Sequence, residues 1–244
     1  MKVGSLGPKL PASSLACALL VGVLIASTAR PCPGAQESGE GVLFREVRNQ
    51  FETMRSTMYQ HRIEVDRKEG SFRYDCVGLV SYALKQAAPT AKESAFQYLG
   101  IKPGYVPTPG KYVTFFLSLG DKPQPGWEPV KKVWDLRAGD VVAWEQKTAT
   151  SNGHAVIIAD TPSKGPSDDW IVPIYDSTAA PHLEDTRVLD TRAEPVAGSS
   201  KRSGLGRGIM ALTADPLTGV LTGYRWTPKS KAFVVPIAAG RPAS

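Results

Sequence analysis

The sequence predicts an α+β domain, with helices first and an antiparallel sheet after them. Three observations carry that expectation. Apolar residues recur at three- and four-residue steps through the first half of the chain, whereas short β-branched or aromatic runs bounded by Gly, Pro and Asp fill the second half. The period changes once, so helical and strand segments are segregated rather than alternating.

Residues 1 to 29 read as a secretory leader: Lys2 and Lys9, an apolar run from Leu15 to Ala26, then Ser27-Thr28-Ala29 with a small-x-small cleavage pattern. The apolar run is about 12 residues long, where a membrane span needs ~20. Export to a periplasm or the extracellular space is expected, with no integral membrane span after cleavage. A linker over 30–41 leads into a single domain over 42–240. Leu43, Phe44, Val47, Phe51, Met54 and Met58 lie on one stripe and predict a long amphipathic helix, which the charged stretch from Glu64 to Gly70 ends. Asp75 is a good N-cap, and Val77, Val80, Ala83, Leu84 and Ala87 continue from it at helical spacing until Pro89.

Prolines 103, 107, 109, 123, 125 and 129 mark an insertion at about 90–132, with room for a helix near Lys111 to Leu119, positioned to wall a cleft. Strands are predicted at Asp140–Trp144, Ala155–Ala159, Trp170–Asp176, Ile209–Thr213, Leu221–Trp226 and Phe233–Ile237, making a sheet of five to six strands. The segment Ala214-Asp215-Pro216-Leu217-Thr218-Gly219 reads as a hairpin turn. Gly204-Leu205-Gly206-Arg207-Gly208 lacks the strand and helix of a dinucleotide motif and also reads as a turn.

Once the leader is removed, 27 Lys and Arg (the chain's 29 less Lys2 and Lys9) face 23 Asp and Glu, a net +4. That balance suits an anionic surface. Basic and aromatic residues do not interleave as they do along single strands, so nucleic acid is excluded as a partner. No metal or other cofactor is expected, because the His and acidic residues lack ligand spacing for zinc or calcium. A monomer is expected. Cys17 leaves with the leader, and Cys32 lies in a Pro/Gly stretch, so no disulfide framework is available.

Cys76 therefore needs a reason to be there. It falls in the first turn of the helix capped by Asp75, where orphan N–H groups and the helix dipole favour an anion. It reads either as a buried small hydrophobe or as a nucleophile. The general base has three candidates. His61 lies on the apolar stripe and reads as a packing residue, and His182 lies in a loop. His154 starts the strand Ala155–Ala159, at a strand mouth. If that strand turns back through 161–169, paired positions sum to about 330 and His154 faces Asp176; a two-residue slip offers Ile174 or Thr178 instead. Asp176 would then orient the imidazole. Tyr74, Asp75, Ser177 and His182 flank these groups and are the candidate substrate contacts.

Asp75-Cys76-x-Gly78-Leu79-Val80, Leu136-x-x-Gly139-Asp140-Val141-Val142 and Gly153-His154-Ala155-Val156-Ile157 follow one another in this order. Together they resemble the signatures of the NlpC-like cysteine peptidases over about residues 74–177. The resemblance implies a papain-like fold with Cys76 as nucleophile, His154 as base and a polar third residue, here Asp176. It also implies a bacterial exported hydrolase acting on peptide bonds of peptidoglycan. An amidase or acyltransferase with the same thioester chemistry, or an inactive wall-binding module, fits the same residues.

Overall fold

The computed structural model describes residues 40–149 and 151–243. The expected leader over residues 1–29, with Cys17, and Cys32 lie outside the described residues. In chain order the elements are α1 (Val42–Thr53), β1 (Ser56–Met58), β2 (Glu64–Asp66), β3 (Ser71–Arg73), α2 (Cys76–Ala87), α3 (Pro89–Tyr98), α4 (Pro109–Ser118), β4 (Trp127–Val130), β5 (Val141–Glu145), β6 (Gly153–Ile158), β7 (Ser163–Lys164), β8 (Trp170–Thr178), β9 (Glu194–Pro195), β10 (Arg202–Ala214), β11 (Leu221–Arg225), β12 (Phe233–Val234) and β13 (Ile237–Pro242). Among the described residues the architecture is α+β, with four α-helices and a large antiparallel sheet. The order across the sheet is β12-β11-β10-β8-β6-β5-β13-β4, with β7 beside β8 and β9 beside β10. Among the described residues no helix is long and apolar enough to cross a membrane.

Both faces of the central strands are buried. Ala155 and Ile157 of β6 pack into a core with Leu43, Leu79 and Leu84 from the helices, while Val156 and Ile158 enter a second core with Trp144, Val172 and Met210. This explains why β6 reads as a continuous apolar run. Each fully buried aliphatic side chain contributes about 1.5–3 kcal/mol relative to exposure, which is what holds α2 on the sheet.

Four expectations need correction. The large sheet has ten strands among the described residues, not five to six, because short segments such as β4, β7, β9 and β13 add to the strands that the apolar runs announce. The first helix stops at Thr53, and Met58 belongs to β1, which pairs in parallel with β3 and with β2 makes a separate three-stranded sheet. Met54 lies beyond the helix yet stays buried, which extends the apolar spacing past the true end. Pro89 ends α2, as expected, but also opens α3 at its first position, where a missing N–H costs nothing.

The glycine run 204–208 is no turn: it lies inside β10, antiparallel to β8, with Gly206 opposite Asp176. Its glycines exist for close approach. A Cβ at Gly206 would sit 2.7 Å from Arg187 Nε, and one at Gly208 would sit 2.8 Å from His182 Cβ. The loop carrying His182 and Arg187 packs directly on that strand. Gly206→Ala is accordingly expected to destabilise the fold by about 1–3 kcal/mol through overpacking, read as a lower midpoint in urea at unchanged slope.

Candidate active site

Asp75 caps α2 as expected, its Oδ1 accepting from the Gly78 N–H at 2.7 Å. The N–H groups of Cys76 and Val77 have no intrahelical acceptor, because a helix starting at Cys76 offers them no carbonyl four residues back. Cys76 is 5% exposed and forms part of the wall of a cleft of about 480 Å³. The opposite wall comes from Val106 to Pro109 and from residues around Ser151 to Gly153, so the Pro-rich segment does line this cleft.

His154 stands at the start of β6, 8% exposed, and donates from Nε2 to Asp176 Oδ2 at 2.8 Å. Its other nitrogen, Nδ1, is left for the thiol. Burial alone would lower the His154 pKa. The negative charge of Cys76, hydrogen bonds to Asp176 and Cys76, and the charge of Asp176 outweigh it and push the value up to about 10. Cys76, His154 and Asp176 are thus brought together.

The path to that pair differs from the expected register. Ile157 pairs with Tyr175 and Ile158 with Ile174, so paired positions sum to two more than expected and the ladder extrapolates to Thr178 opposite His154. Asp176 reaches the imidazole as a diagonal neighbour, within the span such cross-strand pairs allow.

Asp176 is fully buried and serves more than one histidine. His182 donates from Nε2 to the same Oδ2 at 3.0 Å and from Nδ1 to the Trp226 carbonyl at 2.8 Å. Its ring stacks on Trp226 at 4.0 Å, and Trp226 meets His154 edge-on at 5.2 Å. Arg187 completes the cluster. Its Nε and Nη2 bind Asp185 at 2.9 and 2.6 Å, its Nη1 donates to the carbonyls of Gly204 and Asp176, and Nη2 lies 2.8 Å from Asp176 Oδ1. That last contact is an ion pair without the alignment of a hydrogen bond, so Oδ1 accepts none. Burial opposes the carboxylate, but the charges of Arg187 and His182 and bonds from both histidines hold Asp176 well below the usual carboxylate range.

Of the four candidate substrate contacts, only Asp75 lines the cleft. Tyr74 turns inward, its hydroxyl donating to Gln50 Oε1 at 2.7 Å, and Ser177 Oγ donates to the Tyr74 carbonyl at 2.6 Å. His182 is sealed behind Asp176. Conversely, His61 is no packing residue: its side chain is 84% exposed, lines the cleft and donates from Nδ1 to Asp75 Oδ2 at 3.0 Å. The helix ends before His61, so its place on the apolar stripe has no structural meaning.

Tyr59 is a cleft residue that sequence reasoning missed. Burial, then the charges of Cys76, Asp75 and Asp176, push its phenol far above the ordinary range, so it keeps its O–H. A tyrosine between a methionine and a glutamine carries no local signal for this role.

His154, Asp176 and His182 also correct the expectation that no metal-ligand spacing exists, since their ligand atoms lie within 4.8 Å of one another. Both imidazoles already donate to one carboxylate oxygen, and a guanidinium occupies the other side. Hydrogen bonding accounts for the cluster, and the adjacent cation opposes a bound metal.

No protein-family model, curated protein or solved structure matches this chain.

Proposed function

We propose that the protein is an exported cysteine hydrolase of NlpC-like, papain-like type that cleaves an amide bond in peptidoglycan stem or cross-bridge peptides. One observation carries the reading: Cys76, at a helix N-terminus on a cleft, interacts with an imidazole whose far nitrogen is 2.8 Å from a buried carboxylate. That is the geometry of nucleophile, base and orienter.

The Cys76 thiolate attacks the amide carbonyl carbon. Charge developing on the carbonyl oxygen is met by the N–H groups of Cys76 and Val77, with the Tyr59 O–H as a further donor in the cleft. His154 passes its Nδ1 proton to the leaving amine as the C–N bond breaks, leaving a thioester. It then takes a proton from water, which hydrolyses the thioester and restores the thiolate. Asp176 is a positioning residue. It fixes the imidazole through Nε2 and stabilises its charged form.

The test is digestion of purified peptidoglycan. New free amines on stem or bridge peptides are expected with the wild-type protein and none with Cys76→Ala. Release of amines by both proteins, or by neither, would sink the reading.

His61→Ala is expected to raise KM a few-fold with little change in kcat, because His61 touches the cleft rather than the thiol. Steady-state kinetics on a soluble muropeptide separates the two constants.

A further inference from the structure

The cleft at Cys76 does not end there. It shares His61 and Val106 with a second cavity of about 570 Å³, which shares Ile63, Gly104, Tyr105 and Val106 with a third of about 370 Å³. The third adds Tyr82, Lys85, Lys92 and Phe96, and the last three of these also line a fourth cavity of about 640 Å³. One furrow therefore runs from the thiol along α2 to the start of α3.

Its far end is net cationic, with Lys85 and Lys92 against one carboxylate, Glu93. Lys85 comes from the last turn of α2, where a cation suits the helix dipole, but Lys92 comes from α3 and converges on the same cavity. Among the described residues neither lysine has an ion-pair partner. The Lys92 ammonium lies 3.9 Å above the Phe96 ring, and burial followed by repulsion from Lys85 lowers its pKa, with Glu93 opposing. Two unpaired cations held together beside aromatic surface are relieved by an anion between them.

Lys85 lies nine residues beyond Cys76 on the same helix, which at ~1.5 Å per residue is roughly 14 Å, or about four residues of extended chain. We propose that Lys85 and Lys92 form a subsite for a carboxylate on the flank of the substrate, about four residues from the amide that Cys76 attacks. The assignment rests on the Cys76 cleft being where substrate binds. The aromatic rings Tyr82, Phe96 and Tyr105 give the intervening chain an apolar bed.

Fluorescently labelled decaglutamate, long enough to span the furrow, is the probe. It is expected to bind the wild-type protein at low salt and to slow alkylation of Cys76 by iodoacetamide. Lys85→Gln/Lys92→Gln should bind about tenfold more weakly, as for two partly exposed charge contacts, and lose the protection, while Lys85→Arg/Lys92→Arg keeps both. Equal binding to the wild-type and Gln proteins, binding without protection of Cys76, or no binding at all overturns the subsite. Neither readout requires bond cleavage. A protein that cuts no amide can still pass, and an active hydrolase can fail.

Discussion

Turnover is expected to fall at least ~10⁴-fold in Cys76→Ala, with the fold intact, because the substitution removes the nucleophile and leaves only binding and oxyanion donors. Cys76 is almost fully buried but small, so loss of its sulfur costs little packing. The pH profile adds an independent check. His154 has its pKa raised from the ordinary 6.5 to about 10, so the imidazolium that protonates the leaving amine persists through neutral pH. The alkaline limb of kcat/KM is expected near pH 10. A raised histidine pKa also means that the folded state binds the extra proton. Its stabilisation is complete below the unfolded value near 6.5 and is lost as pH rises through about 10. Cys76→Ala removes the largest cause that raises it, so melting temperature should fall less steeply across that window than in the wild type. An alkaline limb near pH 7, or retention of more than about 1% of turnover in Cys76→Ala, contradicts the assigned roles.

What could be read from sequence was what local chemistry decides. Asp75 as a cap and the period from Val77 to Ala87 specify α2 within a few neighbouring residues, and the apolar run of β6 announces a strand buried on both faces. Elements decided by distant partners were opaque. Glu64-Val65-Asp66 looks like a solvated break, yet it forms β2 because β3, itself paired with β1 on its other side, offers it hydrogen bonds. Gly204 to Gly208 carries turn chemistry, yet these glycines stand in a strand because Arg187 packs on Gly206, His182 on Gly208 and the β1 residues Thr57 and Met58 on Gly204. The pairing of His154 with Asp176 was found through a register two residues out, and the contact survives because a carboxylate reaches its diagonal neighbour. His182 illustrates the same limit. A histidine after Ala180-Pro181 gives no hint that it shares the carboxylate of His154.

Arg187→Met is expected to destabilise the protein by about 3–5 kcal/mol, the usual cost of removing one partner from a buried ion cluster. Glu184-Asp185-Thr186-Arg187 reads as a polar surface loop, yet Arg187 is 1% exposed and Asp176 and Asp185 flank it with side chains fully buried. Its donors meet both carboxylates and two backbone carbonyls, so methionine would leave anions and carbonyls unanswered in the interior. At roughly 2–4 °C per kcal/mol for a domain of this size, the melting temperature should drop by about 6–20 °C. Arg187→Lys should recover only a minor part of that loss, since an ammonium cannot reproduce the planar fork that grips Asp185.

The pH dependence distinguishes this electrostatic account from simple misfit. In the wild type the depressed pKa of Asp176 contributes stability above the unfolded carboxylate value, and that contribution is lost as pH falls through the folded value. In the variant the burial penalty on Asp176 loses its largest opponent, so its pKa rises and protonation relieves the fold instead. The stability gap between the two proteins should therefore be widest near neutrality and narrow as pH falls below the ordinary carboxylate range. A gap independent of pH would mean that Arg187 acts by filling space, and Asp176 would then owe its charged state, and His154 its orientation, to the two histidines alone.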